Sequence, residues 1–412
     1  MAEITHRSPL APERFPSLPA VAGARFATLE AGIRYRNRHD LTLIEVQAGT
    51  TVAGVFTRST TAGHPVLWGR KILPSGRARA VIVNSGNANV FRGGEGDAAV
   101  RAEAEAVAAA IGCEPEEVFV ASTGVIGERL PVEKITARVG ELAAALRPDG
   151  IEAAARAIMT TDTFPKGAAA SATIDGTTVT IAGIAKGSGM IAPDMATMLS
   201  FVVTDAALPA DVLQSLLQTG ADASFNAITV DSDTSTSDTL LLLATGAAGN
   251  VPVARADDTR LGDFRAALDR VLLDLALQVV KDGEGAQKLI EVRVHGAASA
   301  ASARRIGLAI ANSPLVKTAI AGGDANWGRV IMAVGKSGEP TDMARLGVAF
   351  GGHDVARGGA AVPDLDEAPV AAHLAGREVV IDVVVGDGGG DASVWTCDLT
   401  HGYIDINADY RS

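Results

Sequence analysis

The segment KGSGMIAPDMATML, Lys186 to Leu199, holds the residues best suited to covalent chemistry. Two glycines and a serine loosen its backbone, Pro193-Asp194 sets a turn, and Ala196 precedes Thr197, after which an apolar strand begins. A nucleophile placed where a flexible loop meets a rigid strand is held from one side and approachable from the other. Breaking the Ala196–Thr197 bond would give Thr197 a free α-amine beside its own hydroxyl. An α-amine titrates at about 7.7–8.0, so near neutral pH it can accept the hydroxyl proton, with no histidine required. A threonine that opens a strand is also ordinary, because its β-branched side chain suits a pleated surface. Spacing alone favours that plainer reading.

The elements that must position these residues read as α/β, with short apolar runs alternating with helical patterns. Strands are expected at Ala80 to Val83, before the turn-rich NSGNAN, and at Val118 to Ala121, before the loop STGVIG. Helices are expected over Ala98 to Ile111, from Pro131 through ITARVGELAAAL, over Pro209 to Gln218 and over Thr259 to Val280. Ser171 to Ala185 reads as a hairpin turning at Asp175-Gly176. A strand runs on from Thr197, another is LIEVRVHG, and the final YIDINADYRS reads as a strand with a short tail. At 412 residues, two or three lobes are expected. Aromatics make up only 4% of the chain, so the cores must be built from Ala, Val, Leu and Ile.

Several function classes drop away. A net charge of -12 argues against a nucleic-acid binder, which needs a basic patch to neutralise phosphates. Two distant cysteines, Cys113 and Cys397, build neither a disulfide framework nor a zinc knuckle. The N-terminus shows no secretory signal and no apolar run is long enough to span a bilayer, so a cytoplasmic protein is expected, with no membrane partner. VVVGDGGGDAS lacks the ending of a phosphate loop and reads as a turn. The seven histidines show no metal-ligand spacing, and no G-x-S-x-G elbow is present. Neither a cofactor nor a metal is expected.

KGSGMIAPDMATMLSF resembles the self-processing site of the ornithine acetyltransferase family, the glutamate N-acetyltransferases of arginine biosynthesis. AGVFTRSTTAGHPV, VIVNSGNANVFRGGEGD, ASTGVIGERLP, IMTTDTFPK, FNAITVDSDTSTSDT, VKDGEGAQKLIEV, SPLVKTAIAGGDANWGRV and CDLTHGYIDINADYRS resemble family blocks, in family order, from about Gly54 to Ser412. The resemblance implies self-cleavage between Ala196 and Thr197 into an α chain, 1–196, and a β chain, 197–412. It implies a self-processing αββα-like sandwich of the N-terminal-nucleophile type with the two chains intertwined, assembled as an α2β2 heterotetramer. It also implies transfer of an acetyl group from N-acetylornithine to glutamate through an acetyl-threonine on Thr197.

By the same resemblance, the Thr123 hydroxyl and the Gly124 N–H form the oxyanion hole, while Thr160, Lys186, Thr197, Glu284, Asn407 and Ser412 bind substrate. Lys186 would neutralise a carboxylate and Glu284 would meet an ammonium; the TTDT run leaves the choice between Thr160 and Thr161 open. Some members also draw the acetyl group from acetyl-CoA as a co-substrate, and no residue here decides that point. The reading from a different class is a related amidohydrolase or aminopeptidase, in which water takes the acyl group. Ser232 and Ser237 depart from the family's usual Gly and Asn, which touches loop geometry and not the chemistry. His64, inserted in the AGHPV block, is given no role.

Overall fold

The computed structural model describes residues 7–192 and 198–408. Ala196, Thr197 and Ser412 lie outside the described residues. Two compact units are present, one formed mainly by residues 12–226 and 233–279, the other mainly by 227–232 and the described residues from 280 onward.

The first unit is a sandwich of two sheets. One sheet has the order β1-β2-β4-β5, from β1 (Ala24–Leu29), β2 (Leu41–Val46), β4 (Ala80–Asn87) and β5 (Val118–Val125). The other has the order β3-β9-β8-β7-β6, from β3 (Thr51–Phe56), β6 (Lys166–Ile174), β7 (Thr177–Lys186), β8 (Leu199–Thr204) and β9 (Thr239–Ala244). Leu41, Leu43, Val81 and Val83 from one sheet and Ile184, Phe201, Leu241 and Leu243 from the other share one core. Helices α1 (His64–Ile72), α2 (Gly94–Ile111), α4 (Val139–Ala144) and α5 (Ile151–Ala157) pack against the first sheet, and α3 (Val132–Thr136) packs against α2. Helix α6 (Ala210–Ala223) packs on β3 and β9, and α7 (Gly262–Lys281) brings Leu275 against Gly183 of β7. With both faces covered, β8 (LSFVVT) and β9 (TLLLLA) are buried at every residue, which is why they read as continuous runs and not as alternations.

The hairpin forms as expected. β6 and β7 pair with Ile174 opposite Thr177, and both Asp175 (φ 48°) and Gly176 (φ 82°) are left-handed, the backbone a two-residue hairpin turn requires. Other boundaries differ. β4 and β5 run on into the expected turn NSGNAN and loop STGVIG, because they pair as parallel neighbours through Gly86 and Gly124. The helix expected from Pro131 through ITARVGELAAAL breaks into α3 and α4. Thr136, Val139 and Gly140 are weak helix formers, and the turn tightens as the Arg138 N–H bonds to the Ile135 carbonyl while its guanidinium reaches the Glu30 carbonyl.

The second unit is a six-stranded sheet, β13-β12-β11-β14-β10-β15, from β10 (Leu289–Ala297), β11 (Gly347–Phe350), β12 (His353–Arg357), β13 (Ala360–Ala361), β14 (Glu378–Val384) and β15 (Gly390–Cys397). Val292, Val294, Ile381 and Val394 of the sheet share a core with Ile306, Ile310 and Ile320 of α8 (Ala300–Ala311) and α9 (Pro314–Ala321), and with Val330 and Val370 of α10 (Trp327–Lys336) and α11 (Glu367–Leu374). The glycine-rich run between β14 and β15 is a turn, as expected. The C-terminal segment is not a strand. It forms α12 (His401–Ala408), because the Thr400 hydroxyl accepts the Gly402 N–H as a helix cap does, and Asn407 bonds back to the Tyr403 carbonyl. No described helix is long and apolar enough to cross a membrane.

Candidate active site

Thr123 and Lys186 are far apart in sequence, but the fold of the first unit brings them together. Thr123 lies near the end of β5 and Lys186 at the end of β7; each is 3% exposed. The Lys186 Nζ donates to the Thr123 Oγ1 at 3.3 Å. An ammonium can only donate. The Thr123 oxygen is therefore the acceptor here, which leaves its own proton for a third group.

Gly124 follows with φ 133°, in the region that favours glycine. A Cβ at this position would lie 2.3 Å from the Gly86 carbonyl carbon and 2.6 Å from the Asn87 nitrogen. The register between β4 and β5 shifts at Gly86/Asn87, directly across from it. Only glycine permits this close approach, so the strand end is shaped by backbone fit as well as by hydrogen bonding.

Lys186 also marks the start of β8. It pairs with Leu199, and Leu199 pairs on its other side with Thr239 of β9. Just before β9, Asp238 is fully buried, and its Oδ1 accepts the Met198 N–H at 2.9 Å. Its Oδ2 makes no hydrogen bond among the described residues. Burial pushes the Asp238 carboxyl well above the ordinary carboxylate range; the Met198 N–H bond and the Lys186 charge pull the other way without reversing it.

A second buried carboxylate, Asp162, gathers donors beside Lys186. Its Oδ1 accepts from the Lys166 Nζ at 2.7 Å and from the Gly187 N–H at 2.6 Å, and its Oδ2 accepts the Thr160 N–H at 2.9 Å. Burial pushes this carboxyl up, but the Lys166 and Lys186 charges and the hydrogen bonds outweigh it, so Asp162 is held well below the ordinary range. Thr160 is buried; the neighbouring Thr161 hydroxyl is engaged with the Ser188 hydroxyl at 2.6 Å.

In the second unit, Glu284 and Asn407 meet. The Asn407 Nδ2 donates to the Glu284 Oε2 at 2.8 Å. Gly285 (φ 77°) lets the loop pass against α12, since a Cβ there would lie 2.4 Å from the Tyr403 nitrogen. Thr400 ties the same loop down by donating to the Gly285 carbonyl at 2.7 Å.

The expected residues therefore fall into two groups, Thr123, Gly124, Thr160 and Lys186 in one unit and Glu284 and Asn407 in the other. Sequence reasoning missed Asp162, Lys166 and Asp238. A signal for the first two existed: an Asp and a Lys four apart lead into the small, apolar start of β6, where unpaired buried charges would be costly. His64 is occupied structurally, with its Nδ1 2.7 Å from Asp97 and its Nε2 accepting the Arg92 N–H. Among the described residues no group of three or more His, Cys, Asp or Glu side chains could hold a metal ion.

These features define an α/β sandwich with a hydroxyl–ammonium–carboxylate cluster buried at the ends of its strands. The sequence model of the ArgJ family matches residues 25–412, and the chain belongs to that family. The arginine biosynthesis bifunctional protein ArgJ of Gluconobacter oxydans is 58% identical over 412 residues, covering 100% of this chain and 97% of that protein. Its counterpart from Agrobacterium fabrum is 56% identical over 408 residues, covering 98% of this chain and 99% of that protein. The crystal structure of arginine biosynthesis bifunctional protein ArgJ from Bacillus halodurans is similar at 41% identity and a TM-score of 0.50, covering 52% of this chain and 100% of that one.

Proposed function

We propose that the chain transfers the acetyl group of N-acetylornithine to glutamate through Thr197, after cutting itself before that residue. The observation that carries this reading is the Thr123 hydroxyl, which sits beside Gly124 and accepts a hydrogen bond from Lys186, the residue paired with Leu199 at the start of β8. A hydroxyl whose oxygen is already engaged has its proton to give, and an acyl oxygen gaining negative charge is the partner that proton suits.

In the first step the Thr197 hydroxyl attacks the Ala196 carbonyl carbon. The C–N bond breaks, the Thr197 nitrogen takes the proton, and water then hydrolyses the ester. This leaves residues 1–196 as the α chain and 197–412 as the β chain. In the exchange, the freed hydroxyl attacks the acetyl carbon of N-acetylornithine, and ornithine leaves with the proton. The glutamate amine then attacks the acetyl-threonine and restores the hydroxyl. Thr123 and Gly124 steady the oxyanion in each attack. Thr160, Lys186, Glu284, Asn407 and Ser412 bind substrate, and the engagement of Thr161 with Ser188 supports Thr160 over its neighbour. The reading needs no cofactor or metal, since the substrate supplies the acetyl group, and it leaves acetyl-CoA as a second donor to be assayed. It has the enzyme working in the cytoplasm as two α and two β chains.

Intact mass of the wild type beside Thr197→Ala tests the reading, together with exchange between N-acetylornithine and labelled glutamate. Two fragments, the second beginning at Thr197, should appear in the wild type and one uncut chain in the variant. Free acetate in place of acetylglutamate would instead mark a hydrolase.

A further inference from the structure

Asp162 touches none of the residues assigned to the oxyanion hole, yet three elements converge on its carboxylate. It holds the Thr160 N–H after α5, the Lys166 ammonium at the start of β6 and the Gly187 N–H just past the end of β7. Gly187 adopts φ 149°, so the chain leaves β7 in a conformation few other residues accept, and the Asp162 contact fixes it there. Lys186, one residue earlier, then has its ammonium placed against the Thr123 oxygen. All four charged or hydroxyl side chains are buried: Asp162 at 1% exposed, Lys166 at 0%, and Lys186 and Thr123 at 3%.

The charge count within this cluster is informative. Lys166 and Asp162 form a close ion pair with both side chains fully buried. If balancing Lys166 were the whole purpose of Asp162, one oxygen would suffice. Its oxygens instead also collect the two backbone N–H groups that fix Thr160 and the segment after Lys186.

We propose that Asp162 is a positioning residue for acyl transfer: it sets the backbone on either side of the cluster so that Lys186 engages the Thr123 oxygen and the Thr123 proton is directed to the acyl oxygen. The inference rests on the acetyl-transfer reading above. Asp162 meets no substrate in this account; it acts through Thr160, Gly187 and Lys186.

The experiment compares Asp162→Asn, Lys166→Met and the double variant in the full-length chain, with folding checked by circular dichroism and cutting by intact mass. Asp162→Asn alone strands the Lys166 charge and could unfold the protein. The double variant removes one charge of each sign and so tests position without stranding Lys166. Misplacement by an ångström typically costs roughly 10²-fold in rate. The double variant, per cut chain, should therefore lose about that much kcat, and its KM for N-acetylornithine should rise as well, because Thr160 and Lys186 also bind substrate. Lys166→Met, which leaves the Thr160 and Gly187 contacts in place, should keep kcat within about tenfold. A folded double variant that remains uncut supports the proposal too, provided Lys166→Met is cut, because the same hydroxyl serves the first attack.

A folded double variant with near-wild-type kcat would reduce Asp162 to a counter-ion for Lys166 and overturn the proposal. Loss of folding in both Asp162 variants would overturn it as well, by making the residue structural. Failure of the wild type itself to exchange acetyl groups would instead refute the acetyl-transfer reading.

Discussion

At the scale of single residues, Thr123 and Asp238 give opposite expectations. Thr123→Ala removes a candidate oxyanion donor and leaves the backbone of its strand end unchanged. Losing such a donor typically costs about 10²–10³ in kcat, so the variant should fold normally and exchange acetyl groups that much more slowly, as initial rates would show. Asp238 is buried, and that burial pushes its carboxyl well up, favouring the protonated form more than water does. Asp238→Asn keeps the shape and an oxygen for the Met198 N–H, and should change urea-unfolding stability by less than about 1 kcal/mol. Asp238→Ala leaves that N–H without its acceptor and should cost about 1–3 kcal/mol. A larger loss in the Asn variant than in the Ala variant would mean that the carboxyl is ionised in the native protein.

At the scale of elements, the close approach of β4 and β5 is a packing constraint before it is a catalytic one. Gly124→Ala would place a methyl 2.3 Å from the Gly86 carbonyl carbon, at a backbone angle that side chains avoid. Strain of this kind, of order 1–3 kcal/mol, should lower the thermal midpoint as well as abolish exchange, whereas Thr123→Ala should affect exchange alone. What the sequence disclosed about elements follows the same line between local and distant causes. The hairpin at Asp175-Gly176 and the apolar run of β8 were legible, because turn chemistry and two-sided burial are written within a few residues. The helical end at His401–Ala408 was not, because its β-branched pattern mimics a strand and only the Thr400 cap reverses it. The site divides likewise. Thr123, Gly124 and Lys186 could be named through the family resemblance, but that Lys186 bonds to Thr123 depends on two sheets meeting, which no local pattern encodes. Asp238 looks like one more acid in a polar loop until Met198 is seen against it.

At the scale of the whole molecule, stability should carry a marked pH dependence from Glu103 of α2. This side chain is fully buried, and neither carboxylate oxygen has a partner among the described residues. Burial pushes its carboxyl up to about 8. Between about pH 4.5 and 8 the unfolded chain would give up this proton and the native one would not, so stability falls as pH rises, by about 1.4 kcal/mol per unit. Glu103→Gln should remove that slope and be more stable than the wild type at pH 7.5, as denaturant midpoints across the range would show. Asp162 acts at the other end: with its native carboxyl held below the ordinary range, its contribution is present above about pH 4 and is lost on further acidification.

The five-stranded sheet interleaves its parts in a way that outlasts any one turnover. In the order β3-β9-β8-β7-β6, the third, seventh and sixth strands come from before residue 197 and the ninth and eighth from after it. The proposed cut before Thr197 would turn one molecule into two whose strands share a single sheet, the two later strands lying side by side between earlier ones. Before the cut, refolding is a first-order event; afterwards it is an encounter between two partners, each missing its neighbours and presenting open strand edges. The mature protein should show hysteresis: its melting midpoint should rise with concentration and recover poorly on cooling, while uncut Thr197→Ala refolds independently of dilution. The covalent link would then serve as a disposable guide, needed once to thread the sheet and absent ever after.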